Sequence, residues 1–156
     1  MALMSNTKYW RHIAALLVAL TALPALARPV THEAFAPPDA LILFGANWCA
    51  PCRAELRKLP LLAGAAPGSV ILAWSDGAPE LAGAALPANV VIADSAQSRR
   101  LAQGAAGLSA GLPFAVLADE NGAACAVWRG ALDVARLAHL KTRCRQGAGL
   151  HQPVNA

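Results

Sequence analysis

The sequence predicts one domain of the α/β class, with parallel strands and one antiparallel hairpin in a central sheet. Its length of 156 residues suits a single domain. Short apolar runs alternate with segments of helical periodicity, an order typical of parallel strands joined by helices. The pair Asn121-Gly122 between two apolar runs indicates a tight hairpin turn.

Composition and charge narrow the classes of function. The chain is 56% hydrophobic and 14% charged, which is too apolar for a disordered protein. Its formal net charge is +4, and its lysines and arginines form no stripe, so we expect no nucleic-acid binding. The longest apolar run, residues 13–27, is shorter than the roughly 20 residues of a membrane-spanning helix.

Residues 1–27 have the pattern of a secretory signal peptide. Lys8 and Arg11 precede an uncharged apolar stretch, and Ala25-Leu26-Ala27 supplies the small residues of a cleavage site. We predict cleavage after Ala27 and export; an uncleaved anchor or a buried helix is the alternative. Export places thiols in an oxidising environment, so the even count of four cysteines favours disulfides.

The mature chain divides into a proline-rich extended lead-in (28–40), a domain (41–146) and a flexible tail (147–156). Continuous apolar runs predict the strands, and leucines spaced three or four residues apart predict the helices. The predicted strands are 41–44, 70–74, 90–93 and the hairpin pair 114–118 and 124–128. The predicted helices begin at Ala50 and cover 79–86, 95–106 and 132–144.

Three details accompany these helices. Pro60 is expected to kink or end the first one, Ser95 or Ser98 to cap the helix over 95–106, and Val134 to lie on the inner apolar stripe of the last one.

Cys49-Ala50-Pro51-Cys52 follows the first predicted strand and opens the first predicted helix. A helix N-terminus offers free N–H groups and the positive end of the helix dipole, which lower the pKa of the Cys49 thiol. Ala50 and Pro51 form a turn that lets the two sulfurs meet, and Pro51 suits a first helical turn. We expect Cys49 to attack a substrate disulfide and the more buried Cys52 to resolve the mixed disulfide.

Zinc binding and an inert structural disulfide are the alternatives for this pair. Zinc would need a second close pair of ligands, and Cys125 and Cys144 lie far apart in the sequence. Haem attachment would need histidine directly after Cys52, where Arg53 stands. We therefore expect thiol–disulfide chemistry without a metal or cofactor.

Residues 44–55, FGANWCAPCRAE, resemble the active-site segment of the thioredoxin superfamily, and more narrowly that of exported thiol reductases of the TlpA, ResA and CcmG type. Residues 111–122, GLPFAVLADENG, resemble the cis-proline loop, strand and hairpin of the same family. The resemblance covers residues 41–144. It implies a thioredoxin-like fold, in which helices flank a central mixed sheet and a cis-proline loop faces the C-x-x-C pair.

The resemblance also implies roles for individual residues. Pro113 is expected to be the cis-proline, with an ordinary trans-proline at a strand start as the alternative. The Leu112 backbone is expected to pair with the substrate chain. Trp48 is expected to shield the site, although a lone tryptophan is equally a core residue. Glu55 is expected to accept the proton of the resolving thiol; the alternative is a solvated residue paired with Lys58.

Several positions depart from the family pattern. Leu43 stands where cytoplasmic thioredoxins carry a buried aspartate, so proton transfer falls to Glu55 or to water. Gly45 replaces the usual aromatic residue, and we expect a more open site. Arg57 replaces the helix-kinking proline, and Pro60 follows three residues later.

Cys125 and Cys144 are predicted to form a structural disulfide. The return strand advances about 13 Å from Cys125 to Arg129. The last helix runs back about 18 Å from Leu132 to Cys144, so the two cysteines lie at a similar height along the strand direction. Loop closure then contributes about 3 kcal/mol. A second redox pair and two buried thiols are the alternatives.

These features predict a periplasmic thiol:disulfide oxidoreductase. The resemblance implies that it reduces disulfides of client proteins, apocytochrome c thiols being one suggested class, and that a membrane thiol electron donor recharges it. The expected protein is a monomer. A disulfide oxidase or isomerase, and a non-catalytic thioredoxin-fold binding or assembly module, remain the alternatives.

Overall fold

A computed structural model describes residues 34–81, 83, 85–109 and 111–147 of the chain. The predicted signal peptide, the start of the predicted lead-in and all but the first residue of the predicted tail lie outside the described residues. Within the described ranges, no helix is long and apolar enough to cross a membrane.

The described residues form a five-stranded sheet and four helices. In chain order the elements are β1 (Leu41–Gly45), α1 (Ala50–Leu56), α2 (Leu59–Ala65), β2 (Val70–Trp74), β3 (Val90–Ile92), α3 (Ser95–Gly104), β4 (Phe114–Ala118), β5 (Ala124–Arg129) and α4 (Val134–Arg145). The strand order is β3-β2-β1-β4-β5. Strands β1, β2 and β3 are parallel, and β4 is antiparallel to both of its neighbours. The prediction of a mixed sheet flanked by helices is confirmed.

Helices and the lead-in cover both faces of this sheet. Every residue of β1, β2 and β4 is buried, which explains their continuous apolar sequences. On one face, Leu43 and Leu72 pack against the leucines of α1, α2 and α4 and against the two cysteines of the C-x-x-C pair. On the other face, Ile42 and Val116 pack against α3 and against Ala36 of the lead-in.

The first predicted helix consists of two helices. Helix α1 ends at Leu56, and α2 begins at Leu59 with Pro60 in its first turn. A proline is favourable there because the first turn leaves its N–H groups unpaired in any case. Pro60 therefore begins a new helix, and the break falls at Arg57 and Lys58.

The helix predicted over 79–86 is wrong for the residues described there, which are 79–81, 83 and 85–86. The Glu80 N–H donates to Oδ1 of Asn47 at 3.0 Å, and the Asn47 amide donates to the Ala78 carbonyl at 3.0 Å. A distant side chain thus replaces helical hydrogen bonds in this segment. Gly83 has a φ of +66°, in the left-handed region that does not continue a helix.

Two details of the other predicted helices are also wrong. Asp94, rather than Ser95 or Ser98, caps α3, because its carboxylate accepts the Gln97 N–H at 2.7 Å. Val134, predicted on the inner stripe of the last helix, is 42% exposed, since it is the first residue of α4 and lies beyond the sheet-facing leucines.

Gly45 ends β1 directly against Trp74, its register partner in β2. A Cβ atom at Gly45 would lie 2.6 Å from the Trp74 ring. The ring, in a residue only 2% exposed, fills the space that we expected the glycine to leave open.

We predict that Gly45→Ala lowers the free energy of unfolding by about 1–3 kcal/mol, because the added methyl group must displace a packed ring. Gly64→Ala is the matched control: its site in α2 has no heavy atom within 4 Å of the new Cβ, so this change should stabilise by about 0.5 kcal/mol. Urea unfolding of the two oxidised variants measures both values. Wild-type stability in Gly45→Ala would contradict the packing described above.

Candidate active site

The Cys49–Cys52 disulfide lies where β1 passes into α1. The two Cα atoms are 5.2 Å apart. Cys49 is the N-cap of α1, and its sulfur accepts the Cys52 N–H at 3.2 Å. Cys49 is 4% exposed, whereas Cys52 is fully buried. Of the two residues, only Cys49 retains any exposed surface.

The cis-proline loop reaches the same end of the sheet. The Leu112–Pro113 peptide bond is cis, as the resemblance implied. The register pairs Phe44 with Phe114, so Pro113 comes just before the residue opposite the end of β1. The Pro113 carbonyl accepts the Gly130 N–H at 2.8 Å, which ties the loop to the end of β5. The Leu112 backbone forms no hydrogen bond with any residue that the structure describes.

Trp48 directly precedes the first cysteine and is 72% exposed. The alternative that it belongs to the core is therefore wrong. Ala50 and Pro51, the two residues of the active-site turn, are exposed as well. An exposed aromatic ring and two exposed turn residues thus surround the nearly buried disulfide.

A polar clamp, formed by Asn47 and Asp76, holds the turn that leads to Cys49; sequence reasoning missed both residues. The Asp76 carboxylate accepts the Asn47 N–H with both oxygens, at 3.0 and 2.9 Å. The Asn47 side chain in turn fixes Ala78 and Glu80. The available signal was a short polar residue just after each of two strands, since such side chains often bond to nearby loop backbone.

Glu55 lies one turn after Cys52 on the buried face of α1, and only 1% of its surface is exposed. Its Oε1 accepts the Leu132 N–H at 2.5 Å. Its Oε2 is buried without a hydrogen-bond partner among the described residues. The alternative of a solvated helix residue paired with Lys58 is therefore wrong.

Comparison with known proteins gives a result only for solved structures. No family model matches the chain, and no curated protein does. A thioredoxin-related protein from Neisseria meningitidis serogroup B is similar over 76% of this chain and 93% of its own, with a TM-score of 0.51 and 17% identity. The chain has a thioredoxin-like fold.

Two further solved structures are similar at lower TM-scores. A Chlorobium tepidum protein described as a thiol:disulfide interchange protein, DsbE, matches 74% of this chain and 83% of its own, with a TM-score of 0.48 and 20% identity. StoA from Bacillus subtilis matches 68% of this chain and 84% of its own, with a TM-score of 0.46 and 15% identity.

Within this thioredoxin-like fold, burial raises the pKa of the Glu55 carboxyl from 4.5 to about 7. Desolvation disfavours the charged form. The Leu132 hydrogen bond and the positive charge of Lys58 lower the pKa but do not offset the desolvation. A carboxyl group with such a pKa exchanges protons readily near neutral pH.

The second disulfide joins Cys125 to Cys144, whose Cα atoms are 5.1 Å apart. The strand pairing places Cys125 at the Leu41 end of the thioredoxin-like sheet, about 13 Å along β1 from the end that carries Cys49. Thiol–disulfide exchange requires direct contact between sulfurs. The separation therefore favours a structural disulfide over a relay within one molecule.

We predict that Glu55 makes stability fall as the pH rises. Between about pH 4.5 and 7 the folded chain holds a proton on Glu55 that the unfolded chain has released. The free energy of unfolding therefore decreases as the pH rises through this range. The free energy of unfolding of wild type relative to Glu55→Gln should drop by about 2–3 kcal/mol from pH 5 to pH 8.

Urea unfolding of the oxidised proteins at the two pH values tests this expectation. Glu120→Gln, at an exposed turn position, is the matched control and should retain the wild-type dependence. If the free energies of unfolding of wild type and Glu55→Gln differ by the same amount at both pH values, the folded chain holds no extra proton at Glu55.

Proposed function

We propose that this chain is an exported thiol:disulfide oxidoreductase that reduces disulfides of client proteins through Cys49 and Cys52. The proposal is supported above all by one observation, a C-x-x-C disulfide whose first sulfur caps α1 in a thioredoxin-like fold. The TlpA, ResA and CcmG-type resemblance of the segments around Cys49 and Pro113 supports the reducing direction.

The reaction proceeds in two exchanges. The Cys49 thiolate attacks one sulfur of a client disulfide, forms a mixed disulfide with it and expels the other client sulfur as a thiolate. Cys52 then loses its proton and attacks the Cys49 sulfur, which closes the Cys49–Cys52 disulfide and releases the second client thiolate. The client gains two electrons and, from the protein and solvent, two protons. An external dithiol returns two electrons to the cysteine pair.

The position of Cys49 explains its role as the attacking residue. At the N-cap of α1 it meets the Cys52 N–H at 3.2 Å and the positive end of the helix dipole, and both stabilise a thiolate. It also keeps some exposed surface, whereas Cys52 is fully buried. Cys52 therefore acts on the mixed disulfide from within the protein.

Glu55 is the proposed acceptor of the proton that Cys52 loses. It lies three residues after Cys52 on the same buried helix face, and its Oε2 is unpartnered among the described residues. Its pKa of about 7 allows it to take up the proton and then release it at neutral pH. No aspartate is available at position 43, where Leu43 is fully buried.

The client chain is proposed to pair with the Leu112 backbone beside Pro113, under the exposed ring of Trp48. The free hydrogen-bonding groups of Leu112 among the described residues support this role. The same proposal includes a periplasmic location, a membrane thiol donor, apocytochrome c thiols as clients and a monomeric state. They rest on the predicted signal peptide and on the family resemblance.

We predict that Cys52→Ser traps a client as a mixed disulfide on Cys49. Without the resolving thiol, the reduced variant should form a stable adduct with a disulfide-bonded test protein, visible on a non-reducing gel and removed by dithiothreitol. Cys49→Ser is the matched control and should form no adduct and lose all reductase activity.

A different pattern would contradict the proposed function. A non-catalytic binding module would retain its partner and its cellular phenotype in Cys49→Ser. An adduct through Cys52 in that variant would mean that the assignment of the attacking cysteine is reversed.

A further inference from the structure

An open groove of about 630 Å³ begins at the C-x-x-C turn and follows α1. Ala50, Arg53 and Arg57 line it from the side of α1, and Glu80 and Leu81 line it from the segment after β2. Apolar side chains from α1 and α2 and from the segment before β3 complete the lining. The groove is distinct from the cis-proline loop, which lies against a separate cleft.

The three residues that α1 contributes to the groove lie on the same side of the helix. Ala50, Arg53 and Arg57 follow one another at three and four residues, which places them on one side of α1. From Ala50 to Arg57 the helix rises by about 10 Å, the length of about three residues of extended chain. Because Ala50 follows Cys49 directly, a polypeptide held at Cys49 has room in the groove for the residues beside its own cysteine.

The groove has a positive edge above an apolar floor. Arg53 and Arg57 are exposed, and neither guanidinium group forms a hydrogen bond or ion pair with any residue that the structure describes. Glu80 supplies the carboxylate of the lining, and its backbone is fixed by Asn47. Two guanidinium groups against one carboxylate favour an anionic occupant, since guanidinium binds carboxylates in a two-pronged geometry.

We propose that this groove selects clients by binding the segment next to the reacting cysteine, and that it prefers segments in which acidic side chains accompany apolar ones. This inference rests on the proposed function, because the groove is occupied while the client is joined to Cys49. The acidic side chains pair with Arg53 and Arg57, and the apolar ones lie on the leucine-rich floor.

Two disulfide peptides of equal length test the preference, identical except that glutamates flank the cysteine in one and lysines in the other. Rates with the reduced mature protein are measured by stopped flow. The rate of each peptide with the protein is divided by the rate of the same peptide with a small neutral thiol. The rate of each protein variant with a peptide is also divided by the rate of that variant with a small neutral disulfide. These ratios remove differences in intrinsic sulfur reactivity.

The acidic peptide should react faster. Arg53→Gln and Arg57→Gln should each lower the acidic-to-basic ratio by about threefold, the effect of one exposed ion pair. Glu80→Gln should raise that ratio. Arg100→Gln on α3, whose helix packs on the opposite face of the sheet, is the matched control, because Arg100 is exposed and faces the lead-in, and it should leave the ratio unchanged. The preference should also weaken as salt is added.

The outcomes separate this inference from the proposed function. If the reduced protein reacts with neither peptide and not with the small neutral disulfide, the proposed function fails and the inference fails with it. If it reacts with all three but the peptides give equal normalised rates, or if the arginine variants keep the wild-type ratio, the groove proposal is overturned and the oxidoreductase function stands.

Discussion

The hydrogen bond from the Cys52 N–H to the Cys49 sulfur is the contact on which the candidate site depends. It makes a disulfide sulfur the cap of α1, so the chemistry of the sulfur and the start of the helix are linked. A helix N-terminus leaves N–H groups without partners, and here a sulfur satisfies one of them. In the reduced state the same N–H and the helix dipole would stabilise the thiolate that the reaction needs.

The surrounding fold keeps this contact in place from three directions. Strand β1 is buried along its whole length and delivers the chain to the turn. The clamp between Asn47 and Asp76 fixes the turn from the side of β2, and the cis-Pro113 loop approaches from the side of β4. Because the sheet brings these three segments to one end, the cysteines are buried between them, whereas Trp48 is exposed.

Burying the Glu55 carboxyl destabilises the folded chain at this site. A buried carboxyl with an unpartnered oxygen destabilises the folded chain by about 1–3 kcal/mol, and such groups are rare in native structures. The hydrogen bond that Oε1 accepts from the buried Leu132 N–H offsets part of this cost. The proposed role in moving the Cys52 proton would give the buried carboxyl a purpose that packing does not.

Local patterns were sufficient to predict much of this structure. The buried strands 41–45, 70–74 and 114–118 are continuous apolar runs, and the C-x-x-C pair identifies itself by its spacing and by the helix that follows. What could not be predicted depends on contacts between distant residues. The burial of Glu55 requires Leu132, 77 positions away, and the loop at 78–80 follows the side chain of Asn47, more than 30 positions earlier. The filling of the space beside Gly45 likewise depends on a ring from β2. No local periodicity contains this information.

The reduction potential of the Cys49–Cys52 pair tests the central claim most directly. The mature protein would be equilibrated in a series of dithiol buffers, alkylated and analysed by peptide mass spectrometry, so that the Cys125–Cys144 pair is quantified separately in each sample. A protein-reducing pair should give a potential of about −270 mV or lower, near that of thioredoxin. A value near about −120 mV, typical of a strong oxidant, would contradict the reducing role.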